Sequence, residues 1–113
     1  MAALYPYQYI NVRGIPTIKS TAVTVNADSV DFTFNSNPTF NNPFRGLLLV
    51  YLANEIPAGT TTTLPIRFTS NQAGAENVTT YNNANWTVGD VLGTGVYLVY
   101  YDRRENTLQV LSV

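Results

Sequence analysis

At 113 residues, 45% of them hydrophobic, the chain is long enough for one domain with a single core and too apolar for global disorder. Charged residues are only 12% of it, about half the usual share of roughly a quarter, and the formal net charge is −1. Such a balance provides no field to attract nucleic acid or anionic lipid, so neither is expected as a partner.

The five arginines (Arg13, Arg45, Arg67, Arg103, Arg104) are scattered apart from one adjacent pair, and Lys19 is the single lysine. Surface polarity falls to Asn and Thr, as in "NSNPTFNNP" (35–43) and "TTYNNANWT" (79–87). Lys and Glu are depleted at protein interfaces and Tyr is enriched, and this chain has eight tyrosines. The same composition also suits a plain β-rich domain, since Thr and Tyr are good strand formers. The start, "MAALYPYQYINVRG", lacks a basic segment followed by an apolar core, so synthesis in the cytosol without export by the usual signal is expected. No run approaches the ~20 apolar residues of a membrane span. Asn77-Val78-Thr79 and Asn85-Trp86-Thr87 fit the glycosylation pattern, but without such a signal they read as chance matches.

The apolar pattern has period two almost throughout. "YQYINV" (7–12) opens it, and Gly14 with Pro16 breaks it. "TAVTV" (21–25) and "VDFTF" (30–34) read as strands joined by the hairpin turn Asn26–Ser29, with Val30, Phe32 and Phe34 inward. An Asn/Pro loop (35–43) follows. "GLLLVYL" (46–52) is apolar at every position after Gly46, which predicts a central strand covered on both faces.

After the turn "NEIPAG" (54–59), positions 60, 62, 64, 66 and 68 share one face of a predicted amphipathic strand that takes in the four threonines Thr60–Thr63. Pro65 cannot donate to a ladder, so this strand is expected at a sheet edge or with a bulge. "SNQAGAE" (70–76) reads as a flexible loop and "NVTTY" (77–81) as another short strand. "WTVGDVL" (86–92) is either a strand or a wrap that plants Trp86 over one end of the core. "GTG" (93–95) reads as a hairpin leading into "VYLVYY" (96–101). "DRREN" (102–106) is a charged, soluble tip, and "TLQVLSV" (107–113) closes the chain in strand register. The fold class expected is all-β: a single-domain antiparallel β-sandwich of about eight short strands, jelly-roll or immunoglobulin-like, over residues 13–113. Residues 1–12 are either an extended N-terminal arm or a first strand. The apolar end at Val113 is expected to tuck into a sheet or to meet a neighbouring subunit.

Reactive chemistry is absent from the composition. There is no histidine and no cysteine, so a Ser-His-Asp arrangement, a thiol nucleophile and the standard zinc ligands are missing. The carboxylates are Asp28, Asp31, Glu55, Glu76, Asp90, Asp102 and Glu105, most of them in predicted turns. No D-x-D-x-D calcium loop occurs, and "GTG" is no phosphate loop because no helix follows. The chain is therefore expected not to be an enzyme, with no catalytic residue, no cofactor and no metal.

What remains are aromatics. Tyr5, Tyr7 and Tyr9, interleaved with Pro6 and Gln8, suit an arm that adds to a neighbour's sheet, or one face of a first strand. Tyr97 and Tyr101 lie on the face of their strand opposite Val96, Leu98 and Tyr100. On a solvated face they would form a stripe for a partner protein or for stacking on sugars, with Trp86 as a further platform; the alternative is burial of both faces.

Two stretches, "FRGLLLVYLANEIPAGTTTTLPIRF" (44–68) and "GTGVYLVYYDRRENTLQVL" (93–111), resemble small virion structural proteins of tailed bacteriophages. The likeness is to the auxiliary or decorating head proteins of crAss-like phages, carried by "GLLLV", "IPAGTTTTLPI", "GTGVY", "YDR" and "NTLQ". The resemblance implies a β-rich domain on the capsid surface in many copies or as a homo-oligomer. Its implied partners are the major capsid protein and other virion proteins, whose adjacent subunits it would tie together. No site residues carry over from that family. The alternative function is a head-fibre or carbohydrate-binding domain that recognises glycans through Trp86, Tyr97 or Tyr101.

Overall fold

The computed structural model describes residues 11–12, 15–41, 43–91 and 93–111. The predicted arm residues Tyr5, Tyr7 and Tyr9, and the terminal Val113, lie outside them. The described chain is all-β, with nine strands and two single turns of 3-10 helix. In chain order these are β1 (Asn11–Val12), β2 (Ile15–Val25), β3 (Val30–Phe34), β4 (Arg45–Leu52), β5 (Ile66–Ser70), β6 (Gly74–Asn77), β7 (Thr79–Thr80), β8 (Gly95–Asp102) and β9 (Thr107–Val110). The hydrogen-bonded order is β6-β5-β3-β2-β4-β8-β9-β7, with β1 added to β2.

Two strand segments turn this ribbon into a sandwich-like, nearly closed barrel. β2 pairs with β4 through Thr17–Lys19 and with β3 through Ser20–Val25, so it belongs to both leaves. A bulge between Ser20 and Ala22 marks the crossing, as expected where a strand changes sheets. There the buried Ser20 hydroxyl donates to Asn54 Oδ1 (2.6 Å) and accepts from the Ala53 amide (2.8 Å). On the opposite side β6 runs through the buried Val78 directly into β7. Val78 N donates to Ile66 O, Trp86 N to Val78 O and Ile66 N to Trp86 O, which knots that side closed. Pairing is mixed: β2–β4, β3–β5 and β7–β9 are parallel, and the other strand pairs are antiparallel.

The core follows from alternation. Val30, Phe32 and Phe34 of β3, Leu48, Val50 and Leu52 of β4, and Ile66 and Phe68 of β5 all point inward and are buried. Phe68 packs edge-on to Phe32 (6.4 Å) and Phe34 (5.0 Å), the favoured aromatic geometry. The Asn/Pro loop caps one end. Asn37 Oδ1 accepts from Thr39 N, Pro38 starts a 3-10 turn, and Phe40 drops into the core beside Tyr101 at 6.0 Å.

Several expected elements come out differently. β2 begins at Ile15, well before residue 21, and Pro16 sits near its start, where a missing N–H is tolerated. Thr60–Thr63 are turns and not strand: Thr60 N and Oγ1 both donate to Pro57 O, and Leu64 N donates to Thr61 O. A threonine hydroxyl that satisfies a nearby carbonyl competes with a ladder, and Gly59 at φ 85° turns the chain. β5 therefore starts after Pro65 and lies inside the sheet between β3 and β6, not at an edge. The presumed loop 70–76 contains the β5–β6 hairpin, with Gly74 at φ 71°. "NVTTY" is divided between β6 and β7, and "GTG" follows a 3-10 turn (Val88–Asp90), so it joins no two paired strands. Nor is the 102–106 tip only a solvated turn: Arg103 Nε donates to Phe40 O (2.8 Å) and its amide to Phe44 O (3.0 Å).

On the outside of the first leaf, Asp31 and Arg67 face each other across the parallel β3–β5 pair. Arg67 Nε and one terminal nitrogen bond the two carboxylate oxygens at 2.8 and 2.7 Å, and Ser29 and Asn26 donate to the same group. Burial would raise the Asp31 carboxyl, but the bonds from Arg67, Ser29 and Asn26 outweigh it and hold the group below its ordinary value. Since the folded-state value is depressed, this contribution is complete above the ordinary carboxylate range and is lost as pH falls through the lowered value. Asp31→Asn is expected to cost roughly 1–2 kcal/mol at neutral pH. Urea unfolding as a function of pH should show the gap between variant and parent closing in acid.

Candidate functional site

The antiparallel β4–β8 pair fixes which side chains meet solvent. Its register sets Leu48 opposite Val99 and Val50 opposite Tyr97, all on the inner row. The outer row is then Leu47 with Tyr100, Leu49 with Leu98, and Tyr51 with Val96. β4 is thus a central strand, as expected, but only one of its faces is covered. Leu47 (43%), Tyr51 (38%) and Val96 (59%) are exposed, while Leu49, Leu98 and Tyr100 are half-buried. Exposed apolar side chains gathered in one strip of a sheet face make this the candidate surface among the described residues.

Cations frame both ends of the strip. Lys19 Nζ sits 5.5 Å from the centre of the Tyr51 ring, a cation–π contact. At the other end Arg45 Nε lies 3.5 Å from the Tyr100 hydroxyl and 3.3 Å from Asp102 Oδ2. The bond to Tyr100 and the nearby Asp102 raise the Arg45 guanidinium above its ordinary value. Beside Tyr51, where β2 leaves β4, a groove of about 990 Å3 opens, and Asn35, Asn37 and Asn54 contribute to its lining.

The aromatics singled out from the sequence sit elsewhere. Tyr101 is fully buried and Trp86 is 4% exposed, so neither can form a surface platform; both are core. Tyr97 is half-buried, packs edge-on to Trp86 at 5.1 Å and donates its hydroxyl to Gly93 O. The inward face of β8 is therefore Tyr97, Val99 and Tyr101, and the outward face is the one holding Val96, Leu98 and Tyr100. Trp86 does wrap over the core, the second of the two expected outcomes. The six outer residues of β4 and β8 went unrecognised because both rows of β4 are apolar. The one hint was Tyr51, a polar-tipped ring in the row opposite the aliphatic Leu48, Val50 and Leu52.

The carboxylates are dispersed. Asp28, Glu55 and Glu105 are exposed, Asp90 closes a capping box with Thr87, and Asp102 sits with Arg45. Among the described residues no three Asp or Glu side chains converge as a metal site would require. Glu76 is the exceptional one. It is buried, accepts the Tyr101 hydroxyl at 2.6 Å through Oε1, and has no partner on Oε2 among the described residues. Burial pushes its carboxyl above the ordinary value, against the smaller opposing effects of the Tyr101 bond and Arg103. Burial, and then Glu76, likewise pushes the Tyr101 phenol up, so it remains a donor.

Comparison with known proteins adds no family: no protein-family model, curated protein or solved structure matches this chain.

A raised folded-state value for Glu76 means that its contribution is complete below the ordinary value and is lost as pH rises through the raised one. Glu76→Gln keeps an acceptor for Tyr101 and cannot ionise. Thermal unfolding between about pH 4 and 8 should show the parent losing stability relative to this variant as pH rises.

Proposed function

We propose that this chain is a non-enzymatic structural protein of a phage virion. It acts as an auxiliary or decorating protein that binds the capsid shell and stabilises contacts between major capsid protein subunits. The observation that carries this reading is the outer strip of β4 and β8, an apolar surface with a cation over the Tyr51 ring at one end and another at the Tyr100 hydroxyl at the other. Such a strip suits broad, dry contact with another protein, with its aromatics as anchors. The resemblance of residues 44–68 and 93–111 to decorating head proteins names the partner, and both stretches contain strands of this strip. The scarcity of lysine lowers the side-chain entropy lost when the surface is covered. Location on the head of the particle, after synthesis in the host cytoplasm, follows from the same reading.

A second reading, glycan recognition by a head-fibre-like domain, is favoured by one observation of its own. The groove beside Tyr51 offers an aromatic ring together with the side-chain amides of Asn35, Asn37 and Asn54. Rings and amides of that kind match the C–H faces and hydroxyls of sugars. Trp86 and Tyr101 cannot serve there, so Tyr51 takes over as the stacking residue.

Binding to undecorated capsids separates the two. The parent chain is expected to bind with fixed stoichiometry. Leu47→Asp and Val96→Asp, at exposed positions that leave the core intact, should each weaken binding by at least about tenfold. A protein that ignores capsids but gives a glycan-array signal lost in Tyr51→Ala would establish the second reading instead.

A further inference from the structure

Among the described residues β2 has an open side. It lies between β3 and β4 in the sheet order, yet β4 accompanies it only through Thr17–Lys19. From Thr21 to Val25 its strand partner among the described residues is β3 alone. The hydrogen-bond phase can be read from the turn. Asn26 N donates to Ser29 O, and Val30 N donates across to Pro65 O, so Val25 and Val30 form a non-hydrogen-bonded pair. By alternation the backbone N–H and C=O groups of Val23 and Val25 point away from β3, toward the open side.

Beyond the bulge between Ser20 and Ala22 at its start, that edge carries none of the usual protection among the described residues. Residues 20–25, "STAVTV", contain no charge, no proline and no glycine. Thr21, Ala22, Thr24 and Val25 are exposed and Val23 is half-buried. The outer strand at one end of the sheet, β6, has only four residues, two of them Gly74 and Glu76, and β7 at the other end has two. The β2 edge is also self-complementary. Antiparallel pairing of two copies about a twofold axis at Val23 sets Val23 against Val23, Ala22 against Thr24 and Thr21 against Val25. These are compact or β-branched pairs with no charge repulsion. The same register carries the Lys19 end of each strand toward the Asn26–Ser29 turn of the other, which holds the exposed Asp28.

We infer that the chain associates as a twofold dimer in which the β2 edges pair antiparallel across Thr21–Val25, joining the two β3-containing leaves into one continuous sheet. The inference does not depend on the capsid reading, because it uses a different surface and is tested on the isolated protein.

Sedimentation velocity over a concentration series should show a monomer–dimer equilibrium for the parent chain. Ala22→Lys/Thr24→Lys alters two exposed side chains and sets lysines against each other across the axis. It should lose the dimer while keeping the parent's far-ultraviolet circular dichroism. The chain has no cysteine, so Val23→Cys introduces a single thiol at the axis. Paired Cα atoms there would stand about 5.5 Å apart, within disulfide reach. Oxidised Val23→Cys should run as a covalent dimer, and Val96→Cys, on the β4–β8 face, should not. A parent chain that stays monomeric at every concentration would overturn the inference. So would a dimer that survives the lysines and leaves the thiol at position 23 unlinked.

Discussion

Eight consecutive residue pairs between β4 and β8, Arg45↔Asp102 to Leu52↔Gly95, set the parity of the second leaf. A slip of one residue would exchange inner and outer rows, expelling Tyr101 and Val99 and burying Tyr100 and Leu98. What holds the register is volume and one hydrogen bond. Tyr101 fills the space between Phe40 and Phe44, each ring 6.0 Å away, and its hydroxyl meets Glu76 from the far side of the barrel. The apolar strip on the outside is thus a by-product of where one tyrosine can be accommodated. Function, on the reading offered above, is written on the face that the core did not take.

Much of the fold was legible. Strand 30–34 and the hairpin at Asn26–Ser29 follow from strict alternation and turn residues, strand 96–101 follows from its run of β-branched and aromatic residues, and the all-β class follows from them. What was not legible has specific causes. The run 46–52 has two apolar rows, so its pattern fixes a strand but not its inner side. The segment 70–76 reads as loop because Ser70, Asn71 and Gly74 signal a turn, yet its tail pairs with β5. The threonine run has the right residues for a strand, but Pro57 O and Gly59 give its hydroxyls and amides nearer partners. Tyr101 resembled a surface aromatic because its acceptor, Glu76, lies 25 residues away in sequence. Trp86 could be assigned to a wrap only as one of two alternatives, since nothing local shows that Val78 and Ile66 will take its backbone groups.

Two carboxylates work in opposite senses around the same barrel. Asp31 is held below its ordinary range by the bonds it accepts, and Glu76 is held above it by burial. Acid removes what Asp31 gives, and rising pH removes what Glu76 gives. Together they narrow the pH interval over which the sandwich is most stable, and both stand on the first leaf: Asp31 ties β3 to β5 on its outer side, while Glu76 reaches from β6 across to β8 in the second leaf. The charge-poor surface makes these two groups matter more, because few other ion pairs exist to mask them. Arg45–Asp102 is the other pair among the described residues, and its arginine is largely exposed.

The shared strand has a mechanical meaning as well. Tension that enters along β2 reaches both halves of the molecule through one unbroken run of backbone. It strains the bonds to β4 and to β3 in shear, all at once, whereas a pull at β6 or β7 would unzip short edges pair by pair. A domain wired in this way is stiff along one axis and yielding along another, and the stiff axis is the one that β2 defines.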